Sequence, residues 1–132
     1  MITAVDSSVL LAVFNNEPAA SDWSRVLLDA SREGELTVCD VVFAEIAPVF
    51  DSQEHAHIVL EGLGIRFDSL NEDAAFEAGR IFKAYRKEGG PRTFMIPDFL
   101  IGGHALRQCD RLAATDRGYL RRYFPKLKLL TL

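Results

Sequence analysis

Short apolar runs alternate along the chain with longer stretches of helical periodicity. Ile2-Thr3-Ala4-Val5 reads as a buried strand, and Leu36-Thr37-Val38-Cys39 as a second. Ile65-Arg66-Phe67 is a short third, and Leu112-Ala113-Ala114-Thr115 and Leu127-Lys128-Leu129-Leu130 complete the set. Helices lie between them. One carries Val9, Leu10, Val13 and Phe14; the next begins at Pro18, where a missing N–H costs nothing, and runs through Trp23, Val26 and Leu27. Another starts near Asp40. Asp51 and Glu54 form an Asp-x-x-Glu capping pattern ahead of Ile58, Val59 and Leu60, and Gly62 and Gly64 stop that helix. Asn71, Glu72 and Asp73 open a further helix with Ala75, Ala78, Phe82 and Tyr85 on its apolar side, ended by Gly89-Gly90-Pro91. A last clear one holds Phe99, Leu100, Ile101, Ala105 and Leu106. Strands alternating with helices imply a mostly parallel sheet covered on both faces. The expected fold is α/β, a three-layer α/β/α sandwich.

Length and composition narrow this without changing it. At 132 residues the chain is the size of one domain, expected to span 1–132, and 48% hydrophobic with 26% charged residues is ordinary for a globular protein. Asp6 precedes the apolar run Val9–Phe14 and no Lys or Arg occurs ahead of Arg25, so the start lacks the basic region of a signal peptide. No apolar stretch reaches transmembrane length. Cys39 and Cys109 read as buried thiols, not a disulfide. A cytoplasmic protein with no membrane partner is expected.

The net charge of −4 conceals a gradient. Residues 1–64 carry eleven Asp and Glu against Arg25 and Arg32, a net of −9, while residues 104–132 carry seven Lys and Arg against Asp110 and Asp116, a net of +5. By itself the gradient is solvated surface charge. An acidic chain can nevertheless bind nucleic acid if its basic residues gather on one rim.

In folds of this class ligands bind beyond the carboxyl ends of the strands, where the strand order reverses. Four carboxylates are placed there by the pattern. Asp6 follows the first strand, Asp116 follows the strand expected to end at Thr115, and Asp98 follows Pro97 at the opening of a helix. Glu45 lies about one turn into the helix after the second strand, an acid among Val41, Val42, Phe43, Ala44, Ile46 and Ala47. Asp6, Asp98 and Asp116 can each be explained as a helix cap. All four at one edge are better explained by a divalent cation, since crowded carboxylates repel one another without one. An all-oxygen site suits Mg²⁺, or Mn²⁺, over Zn²⁺. Such a site can activate water and stabilise charge building on a phosphodiester.

The same residues carry a family resemblance. Val5-Asp6-Ser7-Ser8-Val9-Leu10-Leu11 resembles the opening acidic motif of PIN domains, and Phe43-Ala44-Glu45-Ile46 the second. Ile96-Pro97-Asp98-Phe99-Leu100-Ile101-Gly102 is similar to the third, and Leu112-Ala113-Ala114-Thr115-Asp116-Arg117-Gly118-Tyr119 to the fourth. Motif order, length and the closing Tyr123-Phe124-Pro125 segment resemble VapC-type toxins of toxin–antitoxin systems. The resemblance implies Asp6, Glu45, Asp98 and Asp116 as catalytic metal-site residues. It implies Ser7 and Thr115 as supporting hydroxyls, with Ser7 standing where Thr is frequent. It also implies RNA cleavage leaving a 3′-hydroxyl, homodimerisation, and an antitoxin partner whose C-terminal segment covers the site.

Arg117, Arg121 and Arg122 are interleaved with Tyr119, Tyr123 and Phe124, a mixture able to hold phosphates and stack unpaired bases. Arg117, beside an expected ligand, is the candidate for RNA contact, while Phe124 is expected to face the core. His55, His57 and His104 form no ligand spacing. Two other readings compete. An Asp-based phosphatase of the haloacid-dehalogenase type wants a second Asp where Ser8 stands. A non-catalytic module that binds RNA or protein would be marked by loss of a carboxylate, and all four are present.

Overall fold

Five strands form where the short apolar runs lie: β1 (Ile2–Val5), β2 (Glu35–Val38), β3 (Ile65–Phe67), β4 (Arg111–Ala113) and β5 (Lys128–Leu130). The computed structural model describes residues 1–89 and 93–132. All strand pairs are parallel, in the order β3-β2-β1-β4-β5. β1 and β3 have the expected bounds. β4 does not reach Thr115, because its neighbours run out: β1 gives way after Val5, and Ala114 makes the last bond to β5, donating to the Leu130 carbonyl at 3.2 Å. Asp116 therefore stands on a loop and not directly at a strand end. β2 likewise stops at Val38, since Cys39 is already the N-cap of the next helix.

Seven helices connect the described strands: α1 (Ser7–Phe14), α2 (Ala20–Glu33), α3 (Asp40–Ile46), α4 (Gln53–Gly62), α5 (Glu72–Lys87), α6 (Ile96–Gln108) and α7 (Tyr119–Tyr123). The right-handed rule for parallel crossovers assigns α1 to α4 to one face of the sheet and α5 to α7 to the other, which makes three layers, and the packing of α1 on α2 and α3 and of α5 on α6 agrees with it. The chain reverses direction across the sheet between β1 and β4.

Local chemistry sets the helix ends. Pro18 lies in the turn before α2, which starts at Ala20. Ser52, not Asp51, caps α4: its extended backbone aims the hydroxyl at the first turn, where it accepts the His55 N–H at 3.0 Å. Gly64 follows that helix at φ +72°, a left-handed conformation that glycine adopts without a Cβ clash. Asn71 caps α5 as expected, accepting the Ala74 N–H at 2.8 Å. The buried stripe of α5 is Ala74, Ala78, Ile81 and Tyr85, rotated slightly from the expected one, with Phe82 half-buried against Phe99. Gly89 ends the helix at φ +71°; Gly90 and Pro91, also expected there, lie outside the described residues.

The core fills both faces. Leu10, Val42 and Ile46 are fully buried on one side, and Phe99, Ala105 and Phe124 on the other. Each fully buried Leu or Phe contributes roughly 1.5–3 kcal/mol relative to exposure. α6 lies very close to α5: a Cβ on Gly103 would stand 2.7 Å from the Ala74 carbonyl oxygen and 2.9 Å from the Ala78 Cβ. This packing fixes the amino end of α6, and with it Asp98, over the β1–β4 switch. No described helix is long and apolar enough to cross a membrane.

Candidate functional site

Asp6 is the first residue after β1 and the N-cap of α1. Its N–H donates to the Ala113 carbonyl at 2.9 Å, tying it to β4. Its buried carboxylate accepts the Ser8 N–H at 3.3 Å and the Ser8 hydroxyl. A negative charge at a helix amino end is favoured by the helix dipole.

Glu45 comes from α3. The Ser7 hydroxyl donates to its Oε1 at 2.9 Å. The residue as a whole is exposed, yet its carboxyl is partly shut off from water and its pKa is raised. Desolvation is the largest cause, and the charges of Asp6 and Asp98 add to it, while Ser7 and Arg117 work in the opposite direction. A carboxyl pushed up by two others is short of positive charge around it.

Asp98 is the third residue of α6, so it does not cap that helix itself. Met95 is the N-cap, and the Asp98 carboxylate accepts its N–H at 2.9 Å. Arg117 Nη2 reaches the same carboxylate at 3.3 Å and the Tyr119 hydroxyl oxygen at 3.4 Å. Partial burial opposes the guanidinium charge, but Tyr119, Asp98 and Asp6 outweigh it. The guanidinium also lies over the rings of Phe94 and Tyr119, at 5.4 and 5.2 Å, and those two rings stack at 4.2 Å.

Asp6, Glu45 and Asp98 thus come from three separate elements and act on one another, with Arg117 among them. Asp116 is oriented differently. It is exposed, accepts Arg121 Nε at 2.8 Å and the Gly118 N–H at 3.0 Å, and is held below the ordinary carboxylate range chiefly by Arg121. Thr115 is exposed on the same loop. Arg122 and the Tyr123 hydroxyl both bond Glu88, at 3.1 and 2.6 Å, and Phe124 is buried as expected.

Two contributors were not singled out by sequence. Ser8 holds Asp6, a role the N-cap rule predicts for the residue two positions after an Asp cap. Tyr119 is buried beside the acids, and its phenol is pushed up first by burial and then by the charges of Asp6 and Asp98. Nothing in the sequence separates it from the more exposed Tyr123.

The donors gathered here are carboxylate oxygens, the set a hard divalent cation takes. Among the described residues no three of these acids bring oxygens within 4.8 Å of one another. Three acids on one ion would therefore have to draw closer than they stand here, and the raised Glu45 carboxyl is the deficit an ion would fill. The residues fit Mg²⁺ or Mn²⁺.

Comparison with known proteins gives three findings. The model of the family described as PIN domain matches residues 3–125. No curated protein matches the chain. Solved structures do: VapBC2 from Rickettsia felis bound to a promoter DNA fragment has 17% identity and a TM-score of 0.80, covering 100% of this chain and 99% of that one. VapBC-1 from nontypeable Haemophilus influenzae has 21% identity and a TM-score of 0.73 over 99% and 98%. A toxin–antitoxin complex from Klebsiella pneumoniae has 13% identity and a TM-score of 0.62 over 89% of each chain.

Proposed function

The chain belongs to the PIN domain family, and from that premise we propose that it is a cytoplasmic, Mg²⁺-dependent endoribonuclease, the toxin of a type II toxin–antitoxin module. The observation that carries the reading is the approach of Asp6, Glu45 and Asp98 to one another at the strand-order switch, where burial first and then the charges of Asp6 and Asp98 raise the Glu45 carboxyl. Asp6, Glu45 and Asp98 hold the cation, and Asp116 lies at the rim. When bound, the cation lowers the pKa of a coordinated water and neutralises charge on the phosphodiester. Mn²⁺ can replace Mg²⁺.

The protein's own groups do the rest. Ser8 orients Asp6, and Ser7 orients Glu45 while sparing its second oxygen. Arg117, 3.3 Å from Asp98 and partly exposed, would meet a phosphate of the RNA there. The basic helix α7 extends that path. Thr115 supplies a hydroxyl at the mouth.

The structural neighbours support a partner protein, since they are VapBC or toxin–antitoxin assemblies. An apolar cavity of about 290 Å³ bounded by Leu10, Val13, Leu27, Leu28, Leu36 and Ile65 is a suitable seat for a segment of a cognate antitoxin. A homodimer is the expected assembly. The test is cleavage of structured RNA by the isolated chain with Mg²⁺ and with EDTA. Cutting should require the metal, and full activity in EDTA would overturn the proposal.

A further inference from the structure

We propose that Asp68, His104 and Cys109 form a second metal site, which takes a borderline-soft divalent cation of the Zn²⁺ type. It is separate from the acid cluster. Asp98 and Cys109 lie at opposite ends of α6, about 16 Å apart along its axis at 1.5 Å per residue. A carboxylate oxygen, an imidazole nitrogen and the thiol sulfur of the three residues all lie within 4.8 Å of one another.

The fold brings them together from two places. Asp68 is the residue after β3, anchored by its N–H to the Val38 carbonyl at 2.8 Å. His104 projects from α6 and is 1% exposed. Cys109 is the C-cap of α6, where the backbone becomes extended (φ −131°, ψ 177°). His104 Nε2 lies 2.8 Å from Asp68 Oδ2, and the Cys109 sulfur lies 3.4 Å from the Thr37 hydroxyl. Gln108 donates to Asp68 Oδ2 at 3.2 Å and to the Ser69 carbonyl at 3.0 Å, and accepts the Asn71 N–H at 2.9 Å. It therefore orients the carboxylate.

The donor set decides the ion. Thiolate and imidazole select Zn²⁺ over Mg²⁺, the opposite of the all-oxygen preference at the other end of the helix. Charge is balanced as well: one carboxylate and one thiolate neutralise a divalent cation, so the half-buried site carries no net charge. On binding, the thiol proton leaves to solvent and sulfur takes the metal. The imidazole binds through Nε2, with its proton on Nδ1. The metal then joins the β3–α5 connection to the carboxyl end of α6.

The test is optical titration of the full chain with Co²⁺. Wild type should develop a saturable near-ultraviolet sulfur-to-cobalt charge-transfer band, bleached by Zn²⁺ but not by Mg²⁺. Cys109→Ser and His104→Gln should lose the band, whereas Cys39→Ser and Asp98→Asn should keep it. On wild type alone, Zn²⁺ should also protect Cys109 from alkylation, located by peptide mapping. Absence of the band in wild type, its persistence in Cys109→Ser, or unprotected Cys109 in excess Zn²⁺ overturns the proposal. Each of these results would leave the trio a satisfied hydrogen-bond cluster.

Discussion

The Ser7 hydroxyl donates to Glu45 Oε1 at 2.9 Å, joining the first turn of α1 to the last turn of α3 across 38 residues of chain. That bond steadies a third carboxyl near Asp6 and Asp98, and it partly offsets the burial and like charge that raise the Glu45 pKa.

Glu45→Gln should expose that cost. The folded pKa of Glu45 is raised, by desolvation and then by Asp6 and Asp98. Between the unfolded value, about 4.3, and the raised folded value, the native chain holds the extra proton. Stability of the metal-free protein therefore falls as pH rises through that window, and stays lowered above it. Gln keeps the acceptor for Ser7 and removes the charge, so in EDTA at pH 7 the variant should melt above wild type, and near pH 3 the two should coincide. Mg²⁺ should reverse the ranking at pH 7. An ion at a hundredfold excess over Kd adds about 2.7 kcal/mol to a chain that binds it only when folded, and the variant should lose most of this. Equal Mg²⁺-induced shifts in calorimetry would remove Glu45 from the site.

Arg117→Ala tests the phosphate path. Its guanidinium lies 3.3 Å from Asp98 and against the stacked Phe94 and Tyr119 rings, at the edge of the acid cluster where RNA would bind. RNA affinity should fall, and the slope of log K against log salt should flatten by about 0.7, the loss of one single-strand phosphate contact. An unchanged slope in filter-binding titrations would put Arg117 outside the path.

Two glycines on packed helices should respond with opposite signs. Gly103→Ala pushes a Cβ to within 2.7 Å of the Ala74 carbonyl and should cost roughly 1–3 kcal/mol. Gly79, in the middle of α5, has open space around a Cβ, so Gly79→Ala should add about 0.5–1 kcal/mol. Urea denaturation of the two variants checks both, and a stable Gly103→Ala would show that α6 can move away from α5.

The strands and the acids were legible in sequence for different reasons. β1 and β3 are bounded by residues that change character abruptly, so their ends were readable. The end of β4 was not, because it is set by where β1 and β5 stop and not by Ala114 or Thr115. Ser52 outcompeted Asp51 as a cap through backbone geometry that a pattern match ignores. Asp6, Glu45 and Asp98 were placed at one edge by topology alone. The side-chain pairings were not readable: Asp116 with Arg121, Asp98 with Arg117, and His104 with Asp68 depend on rotamers and crossings between distant elements.

Asp116 should accordingly matter less than the other three acids. Its carboxylate already has Arg121 as counter-ion and lies exposed on the loop after β4. Asp116→Asn should reduce RNA cleavage less than Asp6→Asn does under the same Mg²⁺ concentration. A larger loss in steady-state rates would mean that the loop closes and delivers Asp116 to the cation.

Whether the carboxylates at the β1–β4 switch hold a cation that supports RNA cleavage is decided by single-turnover cleavage of an end-labelled structured RNA. Wild type and Asp98→Asn are compared with Mg²⁺ and after EDTA, with far-UV circular dichroism confirming that the variant is folded. Wild type should cut only with metal, and the variant should be slower by about a hundredfold or more, a loss of at least ~2.7 kcal/mol in transition-state stabilisation. Cleavage by wild type in EDTA, or by folded Asp98→Asn at the wild-type rate, would contradict it.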